Sequence, residues 1–165
     1  PYGHGYAYFG ERMDNGTPIE ENWINRAGSE DFRNLVNYVD DYRPLAGRYA
    51  VGEHSNFLMA PMQLVALQQV NAWGPARIQS YCAGLWKGVE PMLRELGVHI
   101  PTERVHHLVG LRLPASIDPD KLAAEFGKRK LMVSYRGDAV RVSPNVYNTE
   151  EEMIRMAMAV GVSRR

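Results

Sequence analysis

The stretch Val140-Arg141-Val142-Ser143-Pro144-Asn145-Val146-Tyr147-Asn148-Thr149-Glu150-Glu151-Glu152 decides how the C-terminal half of the chain is organised. Val140 and Val142 alternate with Arg141, the two-residue period of a strand with one apolar and one polar face. Pro144 ends that strand, because proline has no backbone N–H to give to a ladder. Asn145 and Asn148 are turn formers. Thr149 followed three residues later by Glu152 is a capping box, in which hydroxyl and carboxylate each satisfy an orphan backbone N–H. Glu150 to Glu152 also place negative charge at the positive end of the helix dipole. Arg141 therefore stands just before a sharp reversal. There its guanidinium either faces a cleft and grips a carboxylate through two parallel hydrogen bonds, or points into water from an edge strand. These residues leave both readings open.

Working outward from this stretch, the pattern is one of short elements. Leu131 to Tyr135 reads as a strand, Arg136-Gly137-Asp138 as a hairpin turn, and Ala139 to Ser143 as the partner strand. Asp118 is an N-cap with Pro119 at the first helical position, and the helix is expected to run through Phe126 and stop at Gly127. His106 to Leu113 reads as a strand closed by Pro114. Before it, residues Ala76 to Leu96 keep a helical spacing of apolar positions, with a kink expected at Pro91 and an end at Gly97. Another helix is expected to start at Ser55 or Asn56 and stop at Gly74-Pro75, burying Leu58, Met62, Val65, Ala66, Gln69, Val70 and Trp73. The implied class is α/β, with an α+β small domain whose sheet is covered by helices on one side.

The N-terminal part reads differently. Gly5 to Phe9 has strand propensity, and Arg48 to Val51 reads as a second strand. Between them the chain is polar, with turn signals at Asp14-Asn15-Gly16, Thr17-Pro18 and Arg43-Pro44. Phe32, Leu35, Val36 and Val39 have the spacing of one short helix. Trp23 suits a local aromatic anchor.

The 165 residues carry a formal net charge of zero, with 45% hydrophobic and 23% charged residues. Mixed charge without a basic stripe argues against nucleic acid or an anionic membrane as the main partner. No apolar run approaches the ~18 residues of a membrane span. The single Cys82 rules out an internal disulfide framework and fits a reducing, cytoplasmic compartment. At an apolar helical position it suits packing. The His residues lack metal-ligand spacing, so no metal site is expected. On a strand, His106 and His107 would point to opposite faces.

Three stretches together carry a resemblance. "RVSPNVYNTEEEM" is similar to the closing motif of class V aminotransferases, the pyridoxal-phosphate enzymes of fold type I that include cysteine desulfurases, kynureninases and isopenicillin-epimerase-like proteins. "PYGHGYAYF" resembles the glycine-rich segment that follows the cofactor-holding lysine, and "RYAVGEHSNF" resembles a turn reaching into the neighbouring subunit's active site. Glu53 and His54 depart from the desulfurase turn and are closer to the kynureninase and epimerase-like branch. The resemblance implies a C-terminal fragment, without the catalytic lysine, of a homodimer that shares its active sites. Residues 1–75 would close the large cofactor-binding domain and 76–165 would form the small domain. Arg141 and Asn56 would bind the amino-acid substrate, and Ser55 and Trp23 the pyridoxal phosphate. Transamination, epimerisation and kynureninase-type cleavage are all compatible. Persulfide chemistry is not expected, because a tight turn replaces the loop on which desulfurases carry their cysteine. The fragment alone would be inactive, with one face of its first helix exposed. Without the family, residues 76 onward read as a non-catalytic, stand-alone α+β binding or dimerisation module.

Overall fold

The computed structural model describes residues 5–53 and 56–165. It divides into two compact units, Pro1–Gln68 and Gln69–Arg165. The division falls inside the helix α1 (Met59–Trp73).

The second unit holds the apolar core. Its elements are α2 (Pro75–Lys87), α3 (Glu90–Glu95), β1 (Val109–Arg112), α4 (Pro119–Lys128), β2 (Ser134–Arg136), β3 (Ala139–Val142) and α5 (Glu150–Val162). The three strands form one antiparallel sheet in the order β1-β3-β2. Pairing of Val109 with Val142 and of Leu111 with Val140 puts four buried apolar side chains on one face. Trp86, Leu93, Leu122, Phe126, Met153 and Val160 pack with them in a single cluster. Complete burial of each such side chain contributes about 1.5–3 kcal/mol. Trp86 also satisfies its indole N–H, which donates to the carbonyl of His106 at 2.9 Å.

Local chemistry sets the boundaries. Asp118 Oδ1 accepts from the N–H groups of Asp120 and Lys121, both at 3.0 Å, and starts α4. Contrary to expectation, α4 runs on through Gly127 to Lys128. The left-handed residue beyond it is Lys130, at φ 55°. The long helix expected over 76–96 is two helices: the chain breaks at Gly88-Val89, and Pro91 sits in the first turn of α3, where its missing N–H costs nothing. Gly97 follows at φ 82°, as a helix stop requires. His106 and His107 lie in a turn ahead of β1, not on a strand.

The first unit is held by polar contacts. Its buried residues, among those described, are Pro18, Asn25 and Ser29. Asn25 is fully buried and donates to the carbonyls of Arg48 and Ala50, at 2.8 and 2.5 Å. Its regular elements among the described residues are three short 3₁₀ helices, Glu11–Met13, Trp23–Asn25 and Leu45–Tyr49, and the part of α1 up to Gln68. Neither expected strand forms. Gly5 to Phe9 carries no ladder, and Phe9 instead stacks on Tyr49 with ring centroids 4.2 Å apart. Arg48 and Tyr49 belong to the last 3₁₀ helix. The helix expected around Phe32 to Val39 is a run of turns whose Phe32 and Val36 are 71% and 87% exposed, so its apolar stripe stays largely in solvent.

Helix α1 forms as expected but buries none of its residues. Met62, Val65 and Trp73 are 63%, 63% and 41% exposed. No helix among the described residues is long and apolar enough to cross a membrane.

Truncation of Leu111, which has no exposed surface, to alanine is expected to destabilise the protein by about 2–5 kcal/mol. Met132→Ala, at a side chain 96% exposed, should stay within about 0.5 kcal/mol. Urea unfolding followed by Trp fluorescence measures both. Equal effects would mean that the core does not lie where it is described.

Candidate functional site

Arg141 is on the central strand. Its neighbour on β1 is Gly110 and its neighbour on β2 is Ser134. The edge-strand alternative is thereby removed. Strand alternation sends Val140 and Val142 into the core and Arg141 to the opposite, exposed face. A Cβ added at Gly110 would meet nothing within 4 Å, so the space beside Arg141 is open. Among the described residues, no carboxylate pairs with Arg141.

Behind Arg141 the chain is pinned by a series of hydrogen bonds. Tyr81 Oη on α2 donates to the carbonyl of Asn148 at 2.7 Å. The Cys82 thiol faces the carbonyl of Pro144 at 3.6 Å. Asn148 Oδ1 accepts from the N–H of Asn145 at 2.9 Å, and Asn148 Nδ2 donates to Glu152 Oε2 at 3.1 Å. The capping box is complete: the N–H of Thr149 donates to Glu152 Oε2 at 3.0 Å, and the N–H of Glu152 donates to Thr149 Oγ1 at 3.3 Å. The Asn148 amide, aided by the Thr149 N–H, holds the Glu152 carboxyl below the usual glutamate range. A cleft lined by Val142, Ser143, Tyr147, Met153 and Met156 borders the same turn, and Arg141 does not line it.

The other expected site residues lie in or beside the first unit. Asn56 works as a helix cap, its Oδ1 accepting from the N–H of Met59 at 3.0 Å. Ser55, the alternative cap and expected phosphate contact, lies outside the described residues. Trp23 is half exposed and meets Phe32 edge-on, at 5.7 Å between ring centroids and 60° between planes. It lines a small cleft with Arg26 and Tyr38. This geometry suits the local anchor that the sequence suggests. His107 Nδ1 is hydrogen-bonded by the side chain of Gln79. Among the described residues there is no cluster of His, Cys, Asp and Glu that could hold a metal.

No protein-family model matches the chain, and no curated protein does. Among solved structures it is similar to an apo cysteine desulfurase from Thermococcus onnurineus NA1, at 21% identity and a TM-score of 0.58. The match covers 76% of this chain and 36% of that one, so the chain spans little more than a third of the neighbour's length. At that identity the likeness is one of fold: a mixed α/β chain with a small antiparallel sheet and helices.

Glu152 makes the seat of Arg141 pH-sensitive. Because its carboxyl is held below the ordinary 4.5 in the folded state, its contribution is complete above that value and is lost as pH falls through the depressed one. Glu152→Ala should therefore lower the melting temperature at neutral pH, with a difference that narrows in acid. A difference independent of pH would remove the carboxylate from this role. Thr149→Ala should cost about 1 kcal/mol.

Proposed function

We propose that this chain is the C-terminal part of a pyridoxal-phosphate-dependent enzyme acting on an amino acid. The family would be that of the class V aminotransferases, in the kynureninase or isopenicillin-epimerase-like branch. Arg141 binds the substrate's α-carboxylate. The observation that carries the proposal is a guanidinium that has no acidic partner among the described residues, on the open face of the central strand and at the start of the motif that resembles the family's closing segment. The fold likeness to a cysteine desulfurase agrees with it.

The residues present fit the periphery of the cofactor. A turn at Gly52-Glu53 precedes α1 in the sequence, and the positive end of that 15-residue helix's dipole suits a phosphate. Asn56 Oδ1 is committed to the Met59 N–H, and its amide NH₂, which has no partner among the described residues, can donate to an anion. Glu53 in the same turn works against that contact by adding negative charge. Trp23 offers a half-exposed ring face. The cofactor-holding lysine and the carboxylate for its ring belong, by the resemblance, to residues outside this chain. When bound, the cofactor supplies an electron sink at the substrate's Cα. Arg141's part is to fix the carboxylate and so orient the bond that reacts.

Transamination, epimerisation and kynureninase-type cleavage all suit these residues. Persulfide chemistry by the chain's own cysteine does not. Cys82 has no exposed surface, and burial pushes its thiol up, away from the reactive thiolate. A homodimer with shared active sites completes the proposal, in the cytoplasm, and the exposed Met62, Val65 and Trp73 of α1 give such an association an apolar surface. One observation favours a second reading, a stand-alone non-catalytic module: the whole apolar cluster lies between Leu85 and Val160.

Incubation of the full-length protein with pyridoxal phosphate separates the two. A yellow protein-bound chromophore supports the enzyme, and a colourless protein sinks it. In the coloured protein, Arg141→Ala should weaken amino-acid binding by about 2–5 kcal/mol. Unchanged affinity would leave Arg141 as a solvated surface cation.

A further inference from the structure

The face that carries Arg141 holds two further arginines. β1 reads Val109-Gly110-Leu111-Arg112, so alternation places Gly110 and Arg112 on the face away from the core. Arg112 pairs with Ala139, two residues before Arg141 on β3, and Arg136 pairs with the same Ala139 from β2. Both arginines are thus diagonal neighbours of Arg141, at a Cα separation of about 7–8 Å. The positions between them carry Gly110, Ser134 and Ala139, all small.

Their commitments differ. Arg136 Nη1 donates to the carbonyl of Tyr135 at 2.9 Å. Among the described residues, the side chains of Arg112 and Arg141 make no hydrogen bond and no ion pair. The six acid–base contacts engage Arg26, Arg94, Arg104, Lys128, Arg129 and Arg155 instead. Two cations kept this close without a counter-charge repel each other, and an anion that bridges them relieves the repulsion. The floor at Gly110 leaves room for it.

We propose that Arg112 is a second anion-binding residue beside Arg141, and that the substrate is an amino acid whose side chain carries its own acid group. This rests on the assignment of Arg141 to the α-carboxylate. A dicarboxylate of glutamate size holds its acid groups far enough apart to engage both guanidinium groups. Each can take a carboxylate bidentately. A neutral side chain of the same length leaves Arg112 without a partner. The chemistry therefore selects by charge rather than by bulk.

The test is calorimetric titration of the full-length protein with glutarate and with butyrate, two acids that lack the amino group and so cannot enter the reaction. Glutarate should bind roughly tenfold or more tightly than butyrate. Arg112→Ala should remove most of that ratio, and Arg112→Lys should restore part of it. Far-UV circular dichroism checks that each variant is folded. No preference in the parent protein, or a ratio unchanged by Arg112→Ala while Arg141→Ala weakens both ligands, overturns the role of Arg112 and leaves Arg141 in place. Arg141→Ala weakening neither ligand overturns the assignment beneath it.

Discussion

Pairing of β3 on both of its edges is the constraint on which the rest of the second unit depends. A four-residue strand joined on one side only would be free to slip, and a slip of one residue would exchange its two faces. Held between β1 and β2, β3 cannot slip without breaking both ladders. Val140 and Val142 are thus committed to the core, and Arg141 to the open face. The core on one side and the charge on the other are the same event seen from two directions.

The second unit was legible in the sequence wherever the signal was local. The caps at Asp118 and Thr149, the Gly137 turn and the alternation around Arg141 each depend on residues within a few positions of one another. What the sequence did not reveal was non-local. Nothing in Val109 to Arg112 says that this segment joins the outer edge of β3 and makes it the central strand. Arg112 belongs to no motif. Its only mark is the alternation of a four-residue strand, and that gains meaning once the partner strand is known. In the first unit, apolar periodicity misled. The spacing of Phe32, Leu35 and Val36 fits a helix, but a stripe that stays largely exposed gives little reason to form one.

Each unit owes its internal cohesion to a different kind of interaction. Around Trp86 and Leu93, cohesion is apolar and spread over many side chains. Around Asn25 it is polar and concentrated in a few bonds between loop carbonyls and one amide. Such an arrangement specifies a loop path closely, since each hydrogen bond has a direction, but it has little apolar area to resist water. The proposed cofactor contacts sit on this kind of scaffold, whereas Arg141 sits on the apolar one.

Cys82 gives that distinction a practical use. Its thiol is sealed between α2 and the carbonyl of Pro144, directly behind the turn that seats Arg141. A thiol so placed meets an alkylating reagent only when α2 and the turn separate, since the reactive form is the thiolate and it needs access. With no other cysteine in the sequence to compete, the rate at which the native chain consumes reagent reports how far that opening is populated and, once reagent is concentrated enough to outpace reclosing, how often it occurs. A residue that serves only to fill space in the fold is also a clock for how often the seat beneath the charged face comes apart.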